Sequence, residues 1–321
     1  MTASPNEHST KPAETRRPTF ACPRHKSALE SGYFCAACGI RFPESHGIPV
    51  LLNESNSVFR IADYIDPADA YGGASAYAGQ QDRTGGIRSF YRRMVRHLSE
   101  SPSGKRSFGV RDALAHVMSL APEARVLVIG AGESGFEGNV TYTDVAFGKN
   151  VTCIADAHDL PFPPDSFDFC IASAVLEHVV DPRRCVDEME RVLKPGGFVY
   201  AETPFLQPVH MGAYDFTRFT FLGHRRLFRQ FAELQSGIAG GPLISATQVA
   251  RYSIAALSDN PGAKKWLRLL GLLLCYPLRR LDPFFRKTRS AYDSASAFYF
   301  FGSLQEQPIS DRELIQLFKG G

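Results

Sequence analysis

Three cysteines and a histidine stand in two closely spaced pairs near the start of the sequence, Cys22-Pro-Arg-His25 and Cys35-Ala-Ala-Cys38. Two ligands three positions apart can hold one metal ion from a tight turn, and Gly39 relaxes the backbone after the second pair. Four such ligands favour a closed, structural zinc site, without which so small a unit has too little core to fold. Free cysteines with a surface histidine are the alternative, and His46 competes with His25 as the fourth ligand.

A glycine turn, Gly130-Ala-Gly-Glu-Ser-Gly135, directly follows a short apolar run. Glycines there let backbone N–H groups approach a ligand, although the pattern alone also fits a dinucleotide site or a plain turn. Asp144 ends the next predicted strand, where a carboxylate can accept both hydroxyls of a ribose. A strand-end charge or helix cap is the alternative for Asp144, and a structural role is the alternative for Asp156, after the third strand.

Short apolar runs bounded by turn residues predict the strands that position these side chains. One helix between them is well marked, with Asp181 as N-cap, Pro182 at its first position and Pro195-Gly-Gly as its end. Strands alternating with helices predict an α/β sheet. The predicted strands are 126–129, 140–143, 151–155, 167–173, 198–203 and 295–301, and further helices are predicted near 87–98, 110–120 and 222–233.

The order of these blocks resembles the type 11 group of class I S-adenosylmethionine-dependent methyltransferases. The resemblance covers about residues 110–235 and rests on VLVIGAG, the TD of the second strand, ADAHDLPFPPDSFD, VLEHV and ERVLKPGGFVYAETPF. It implies a Rossmann-like methyltransferase sheet with helices on both faces and S-adenosyl-L-methionine as cofactor. It also implies cofactor contacts along the strand ends: the methionine end at Gly130 and Gly132, the ribose at Asp144, the adenine at Asp156 and Ala157, with Ala131 and Ala174 completing the set.

Two connections are shorter than this resemblance implies. Only nine residues, 131–139, separate the first two predicted strands, and only six, 145–150, separate the next two. A crossover between neighbouring parallel strands usually takes a dozen or more residues. The first two helices are therefore expected to be stunted or replaced by loops, and a catalytically inactive methyltransferase-fold binding protein remains an alternative.

A segment rich in His, Tyr, Asp and Arg follows the last parallel strand, where open α/β sheets bind ligands. His210 is the predicted proton acceptor, since the ordinary pKa of histidine suits that role near neutrality. Tyr214 and Asp215 would orient His210 or the substrate, and Arg218 would hold an anionic group. The alternative is a structural loop in which Asp215 and Arg218 pair, and methyl transfer by proximity alone needs no base.

Glu177 and His178 follow the fourth predicted strand and complete the catalytic candidates. They would line the site where the strand opens towards the transferred methyl group, while packing and capping are the alternative roles. His224, on the following helix, is predicted at the surface.

Composition excludes some classes of protein. The 321 residues are 44% hydrophobic, which excludes a wholly disordered chain, and seven cysteines are too few for a disulfide scaffold. The polar first residues show no signal peptide, and the longest apolar run, Leu269–Leu278, is too short to span a bilayer. The net charge of +3 conceals a local +7 at 264–289, from eight Lys or Arg and one acid. That stretch predicts a core or lid helix, a helix on an anionic membrane, or a surface for an anionic partner.

These observations predict four regions: a disordered lead at 1–18, a zinc-ribbon-like module at 19–53, a linker and helical cover at 54–109, and a methyltransferase domain at 110–321 with an apolar and basic insertion at 264–290. We expect a cytoplasmic enzyme that methylates a small-molecule, glycan or lipid-linked acceptor, and anionic membrane contact through 264–290 is one of the alternatives for that stretch. An rRNA base methyltransferase is the main alternative, favoured by the zinc ribbon. RNA is disfavoured because the basic patch is interleaved with Leu rather than with stacking aromatics. A nicotinamide-dependent oxidoreductase comes third, and the oligomeric state stays open.

Overall fold

The computed structural model describes residues 18–65, 108–132 and 134–321. Two small antiparallel hairpins come first, β1–β2 and β3–β4, and a seven-stranded sheet follows. The hairpin strands are β1 (Phe34–Cys35), β2 (Ile40–Arg41), β3 (Glu44–Ser45) and β4 (Ile48–Pro49). The sheet strands are β5 (Val126–Ile129), β6 (Val140–Asp144), β7 (Cys153–Ile154), β8 (Phe167–Ser173), β9 (Leu193–Pro204), β10 (Phe231–Gly240) and β11 (Ala297–Leu304).

The sheet has the order β10-β11-β9-β8-β5-β6-β7. The five strands from β9 to β7 are parallel neighbours, and β11 lies antiparallel between β9 and β10. The carboxyl ends of the parallel strands therefore meet at one edge, where a ligand site is expected. The prediction of a Rossmann-like α/β sheet is confirmed. The described helices are α1 (Ala62–Ile65), α2 (Val110–Leu120), α3 (Pro182–Val192), α4 (Phe221–Leu227), α5 (Pro242–Ala255), α6 (Pro261–Phe285) and α7 (Asp311–Gln316).

Helix α3 begins as its sequence predicts. The Asp181 side chain accepts the backbone N–H of Arg184 at 3.1 Å, which satisfies one of the open donors of the first turn. Three apolar side chains of the helix, Val186, Met189 and Val192, are fully buried against the sheet. The helix ends at Val192 rather than at the glycines, because Leu193 already pairs with Phe167 as the first residue of β9.

The connections from β5 to β6 and from β6 to β7 contain no helix among their described residues. The N-terminal residues instead cover both faces of the sheet there. Cys22, Cys35 and Leu51 share one core cluster with Leu127 and Cys153. On the opposite face the strands pack against Ala113 and Val117 of α2. The N-terminal residues Leu52, Phe59 and Tyr64 belong to the same core cluster.

Backbone and ionic contacts fasten the N-terminal residues to the sheet. Val50 forms a parallel bridge with Ile154, and the Leu51 N–H donates to the Ile154 carbonyl at 2.9 Å, which extends the edge beyond β7. The buried Asp159 carboxylate pairs with Lys26 at 3.2 Å and with Arg184 of α3 at 2.9 Å. These contacts make the first residues part of the same core as the sheet.

Two predicted elements have different bounds in the structure, and two predicted regions lie wholly or almost wholly outside the described residues. The helix predicted over 222–233 ends at Leu227, and the chain enters β10 at Phe231, because residues 231–240 pair with β11, which lies far away in sequence. The last strand runs over 297–304 and is followed by the short helix α7. The helix predicted near 87–98 and almost all of the predicted disordered lead lie outside the described residues.

The sequence predicts His224 at the surface, and this prediction is wrong because the residue is buried. Only 2% of the residue is exposed, and its ring meets Phe228 edge-on at 5.3 Å. Burial lowers the pKa of His224 to about 3, so the imidazole is neutral in the folded protein. The error arose because α4 packs against the aromatic side chains of the antiparallel strands, which the local sequence does not reveal.

Helices α5 and α6 form a hairpin between β10 and β11. The buried Asp282 carboxylate of α6 accepts the N–H groups of Gly241, Leu243 and Ile244, at the beginning of α5.

No helix within the described ranges is long and apolar enough to cross a membrane.

Candidate functional site

The four predicted zinc ligands converge on one point. The Sγ atoms of Cys22 and Cys38 are 4.0 Å apart, and His25 Nδ1 lies 3.7 Å from Cys22 Sγ and 3.9 Å from Cys35 Sγ. Tetrahedral zinc with ordinary bond lengths separates its ligand atoms by roughly 3.5–3.8 Å, so these donors fit a zinc ion. His46, the alternative fourth ligand, instead packs edge-on against Phe147.

The two halves of this cluster have the same backbone design. The N–H of Lys26 donates to the Cys22 carbonyl, and that of Gly39 donates to the Cys35 carbonyl, each at 2.8 Å. Both residues stand directly after the second ligand of their pair and have positive φ, 59° and 68°. Each turn therefore points its two ligand side chains inward, and only one of the two uses glycine to do so.

A cavity of about 300 Å³ opens at the carboxyl ends of β5, β6 and β8. A cavity of this volume suits a cofactor-sized ligand. Every residue that the sequence predicted for the cofactor lines it: Gly130, Ala131, Gly132, Asp144, Asp156, Ala157 and Ala174.

Asp144 and the glycine turn support each other at the base of this cavity. The Asp144 carboxylate accepts the N–H of Gly132 and the N–H of Ala146, both at 2.9 Å. Gly130 has a φ of +66°, and a Cβ there would lie 2.4 Å from a methyl carbon of Val175. Glycine is therefore required at this turn both for its backbone conformation and for space.

The Asp156 carboxylate is already occupied by protein donors. It accepts Ser57 Oγ at 2.5 Å and both the N–H and Nδ1–H of His158. His158 is held in this tautomer because its Nε2 accepts the N–H of Asp181 at 3.0 Å. Although burial opposes it, the hydrogen bonds from His158 lower the pKa of Asp156. The side chain thus has the structural role that the sequence left as an alternative, while the residue still lines the cavity.

A second cavity, of about 170 Å³, adjoins the first through their shared residue Ala174. Ala174 follows β8 with a φ of 57°, and its N–H donates to the Glu202 carbonyl of β9. Glu177 and His210 line the second cavity, whereas His178 lines the first. Ligands in the two cavities would therefore meet near Ala174, with these three side chains at the junction.

Glu177, His178 and His210 place their polar atoms within 4.8 Å of one another. Glu177 Oε1 lies 3.7 Å from His178 Nε2 and 4.0 Å from His210 Nε2. The other ring nitrogen of each histidine is oriented, since His178 Nδ1 donates to the Tyr214 carbonyl at 2.7 Å and His210 Nδ1 lies 3.4 Å from Asp215 Oδ2. Burial raises the pKa of Glu177 to about 7 and lowers the pKa of both histidines.

Asp215 and Arg218 form the ion pair that the sequence left as the structural alternative. Asp215 also accepts the backbone N–H of His210 at 2.8 Å. Although burial opposes it, the hydrogen bonds from Arg218 lower the pKa of Asp215 to about 2. Tyr214 stacks on Phe59 at 5.7 Å and, like Asp215, lines neither cavity. These residues position His210 and His178 rather than face a ligand directly.

Three buried side-chain oxygens at these strand ends have no hydrogen-bond partner among the described residues: Ser173 Oγ, Glu177 Oε2 and Thr203 Oγ1. Buried polar atoms are normally paired, so this concentration points to a ligand that completes them. Ser173 lines the first cavity, and Glu177 and Thr203 line the second.

Sequence reasoning missed the contribution of the N-terminal residues to the first cavity. Val58 and Phe59 line it, and Ser57 holds Asp156. No local pattern marks these residues, because they reach the cavity only through the docking of the preceding chain on β7.

Comparison with known proteins finds similarity to methyltransferases over part of the chain. Residues 137–201 match the type 11 methyltransferase family model, described as a methyltransferase domain. A demethylmenaquinone methyltransferase of Clavibacter sepedonicus is 38% identical over 120 residues, 36% of this chain and 44% of that protein. A ubiquinone/menaquinone biosynthesis C-methyltransferase of Hahella chejuensis is 29% identical over 164 residues, 49% of this chain and 60% of that protein. Each of these two relatives is thus matched over less than two thirds of its own length.

Among solved structures, phosphoethanolamine N-methyltransferase 2 of Haemonchus contortus, in complex with S-adenosyl-L-methionine, aligns with a TM-score of 0.39 at 17% identity. The alignment covers 78% of this chain and 61% of that one. The strand order, the family match over residues 137–201 and the two sequence relatives support the prediction of an S-adenosylmethionine-dependent methyltransferase domain.

Proposed function

We propose that the protein transfers a methyl group from S-adenosylmethionine to a nucleophilic atom of a small-molecule acceptor. The single observation that carries the proposal is the pair of cavities that share Ala174, the first lined by the whole predicted cofactor set and the second by Glu177 and His210. When bound, S-adenosylmethionine supplies an electrophilic methyl group, which leaves for the acceptor nucleophile so that S-adenosylhomocysteine remains.

In this proposal the chain contributes orientation and a proton acceptor. Gly130 and Gly132 hold the methionine end, Asp144 the ribose, and the chain at Asp156 and Ala157 the adenine. His210 takes the proton that the acceptor loses, since burial keeps its imidazole neutral and Asp215 orients the ring. Glu177 and His178 hold the acceptor beside it.

The acceptor class follows from the size and lining of the second cavity. A volume of about 170 Å³ is close to that of a cavity that holds one aromatic ring, so it accommodates a head group and leaves a lipid tail outside. The names of the two relatives favour a hydroxylated quinone precursor within this class. We therefore propose a small or lipid-linked acceptor whose ring enters the second cavity.

We assign zinc a structural role in the Cys22, His25, Cys35 and Cys38 cluster. Four protein donors leave no open coordination position, so the ion would hold the first residues against the sheet without taking part in catalysis.

Calorimetry with S-adenosylmethionine and with S-adenosylhomocysteine tests the cofactor half of the proposal. We expect binding of both, and its loss in Gly130→Ala, where the added Cβ meets Val175. Gly196→Ala is the matched control, because Gly196 also has positive φ but has open space around it. If the wild-type chain binds neither compound at millimolar concentration, the protein is instead the catalytically inactive, methyltransferase-fold binding protein. The rate of methyl transfer to demethylated quinols, compared with the rates for glycan and RNA acceptors, then tests the acceptor half of the proposal.

A further inference from the structure

An unusually apolar stripe runs along the outer side of helix α6. Trp266, Leu274 and Phe284 are 69%, 63% and 70% exposed. At 100° per residue the exposed apolar side chains fall within a sector of about 140°. Single exposed apolar residues are common, whereas a contiguous stripe marks an interaction surface. We call this stripe the outer face; its residues are Trp266, Leu270, Leu273, Leu274, Leu278, Leu281, Phe284 and Phe285.

The inner side of α6 fixes the direction of the outer face. Leu269 and Leu272 are buried, and Gly271 lies so close to α5 that a Cβ would stand 3.0 Å from the Arg251 Cα. Asp282 is buried at the beginning of α5 and ties the far end of the helix to it. The helix therefore cannot turn its apolar stripe inward, and the described residues leave that stripe open to solvent.

Positive charge accompanies the outer face. Arg280 is exposed and borders the apolar sector on the helical wheel, Lys265 is exposed further round the helix, and Lys287 is exposed just after the helix ends at Phe285. The acidic residue of the segment, Asp282, is only 2% exposed and faces inward. The surface presented outward is thus apolar at its centre, with Arg280 at one edge and Lys287 beyond the end of the helix, which suits a helix that lies in the interface of an anionic membrane.

We propose that helix α6 docks the protein on an anionic bilayer through the outer face. The helix is 25 residues long, about 38 Å at the ordinary rise per residue, and its outward stripe consists of Leu and aromatic side chains. Aromatic residues near its two ends, Trp266 and Phe284, suit the interfacial depth. The docking does not depend on methyl transfer, but it would serve a lipid-linked acceptor. Helix α5 packs on α6 and contributes Ile244 and Gln248 to the second cavity.

Trp266 makes the test direct, because it is the single tryptophan of the chain. The protein should sediment with vesicles of phosphatidylcholine and phosphatidylglycerol. The fluorescence emission of Trp266 should shift to shorter wavelength when the vesicles are added. Raising the salt concentration should weaken this binding. No sedimentation at low salt would overturn the proposal. Equal binding to vesicles of phosphatidylcholine alone would overturn the choice of an anionic surface.

Paired substitutions locate the binding surface. Leu273→Asp with Leu274→Asp should lower vesicle affinity at least tenfold, since both exposed side chains lie midway along the length of the outer face. Ile315→Asp is the matched control, because Ile315 is 68% exposed but lies on α7. Circular dichroism and S-adenosylmethionine binding should match wild type in both variants. Unchanged vesicle binding by the double variant would refute the proposal. So would a wild-type dimer, seen by sedimentation velocity without lipid, that the double variant dissociates.

Discussion

His210 and Glu177 both line the second cavity, with Nε2 and Oε1 4.0 Å apart, and burial shifts the pKa of both groups. The neutral imidazole has Asp215 behind it, while the carboxyl group has one oxygen, Oε2, with no partner among the described residues. Each side chain is held by protein contacts on one side and open to a ligand on the other. The roles of these two side chains are best separated by substitutions that keep a side chain of similar size and shape.

His210→Asn tests the proton acceptor. We expect kcat to fall about a hundredfold or more, because a positioned base contributes that much, whereas the Kd for S-adenosylmethionine stays unchanged. Steady-state kinetics and calorimetry measure the two effects. His116→Asn, on α2 and away from both cavities, is the control. Full turnover by His210→Asn would show that proximity alone carries the transfer.

Glu177→Gln tests the buried carboxyl group through stability. The pKa of Glu177 is raised from 4.5 to about 7, so between these values the folded protein retains a proton that the unfolded chain has released. Stability therefore falls as the pH rises through this window, by on the order of 3 kcal/mol. Urea unfolding of wild type should show this loss between about pH 5 and about pH 8, and the Gln variant should lack it. The exposed Glu123→Gln serves as control; a parallel pH dependence in wild type and Glu177→Gln would contradict the assignment.

At the scale of elements, the helical hairpin depends on a cap supplied from another helix. Gly241 has no side chain to cap α5, and Asp282 of α6 supplies the acceptor instead. The beginning of one helix is thus secured by residue contacts some forty positions later in the chain. Helix–helix packing around Gly271 then holds the pair together.

Asp282→Ala should destabilise the protein by about 1–3 kcal/mol, because it removes a buried acceptor and leaves the N–H groups of Gly241, Leu243 and Ile244 unsatisfied. Chemical denaturation measures the change in the free energy of unfolding. Asp259→Ala, at an exposed position before α6, should change it little. Equal effects of the two substitutions would argue against the cap.

At the scale of the whole molecule, the Cys/His cluster and the sheet form one body. Cys22 and Cys35 belong to the same core cluster as Leu127 and Ile129 of β5. The β5–β6 and β6–β7 connections, which have no helix among their described residues, leave a sheet face that these N-terminal residues cover. The boundary between 53 and 54 stays a prediction, while buried side chains of the N-terminal residues and of the sheet share core clusters.

Zinc removal should consequently destabilise the sheet as well as the cluster. We expect Cys35→Ser to lose one equivalent of zinc by elemental analysis and to lower Tm by roughly 10 °C in one cooperative transition. Cys275→Ser, a half-buried thiol outside the cluster, should retain zinc and Tm. Two separate transitions, with S-adenosylmethionine binding intact between them, would show that the N-terminal residues fold independently.

Local signals were sufficient for much of the fold and of the cofactor cavity. The strand, glycine turn and strand-end carboxylate around Gly130 and Asp144 act within short stretches of chain, so their spacing predicts their geometry. Helix α3 is similar, since Asp181 and Pro182 mark its beginning directly. The burial of His224 and the strand β10 were missed because both depend on β11, about sixty residues further along the chain.

The amino-acid sequence by itself determined the class of fold, the glycine-turn and strand-end residues that line the first cavity, and the spacing of the candidate zinc ligands. It could do so because each rests on turns and periodicities within a few residues. Only the tertiary structure decided that the Asp156 carboxylate is occupied by His158 and Ser57, that Asp215 serves His210, and that the N-terminal residues complete the core. Those outcomes depend on contacts between segments far apart in the chain, and such contacts leave no mark on the local pattern.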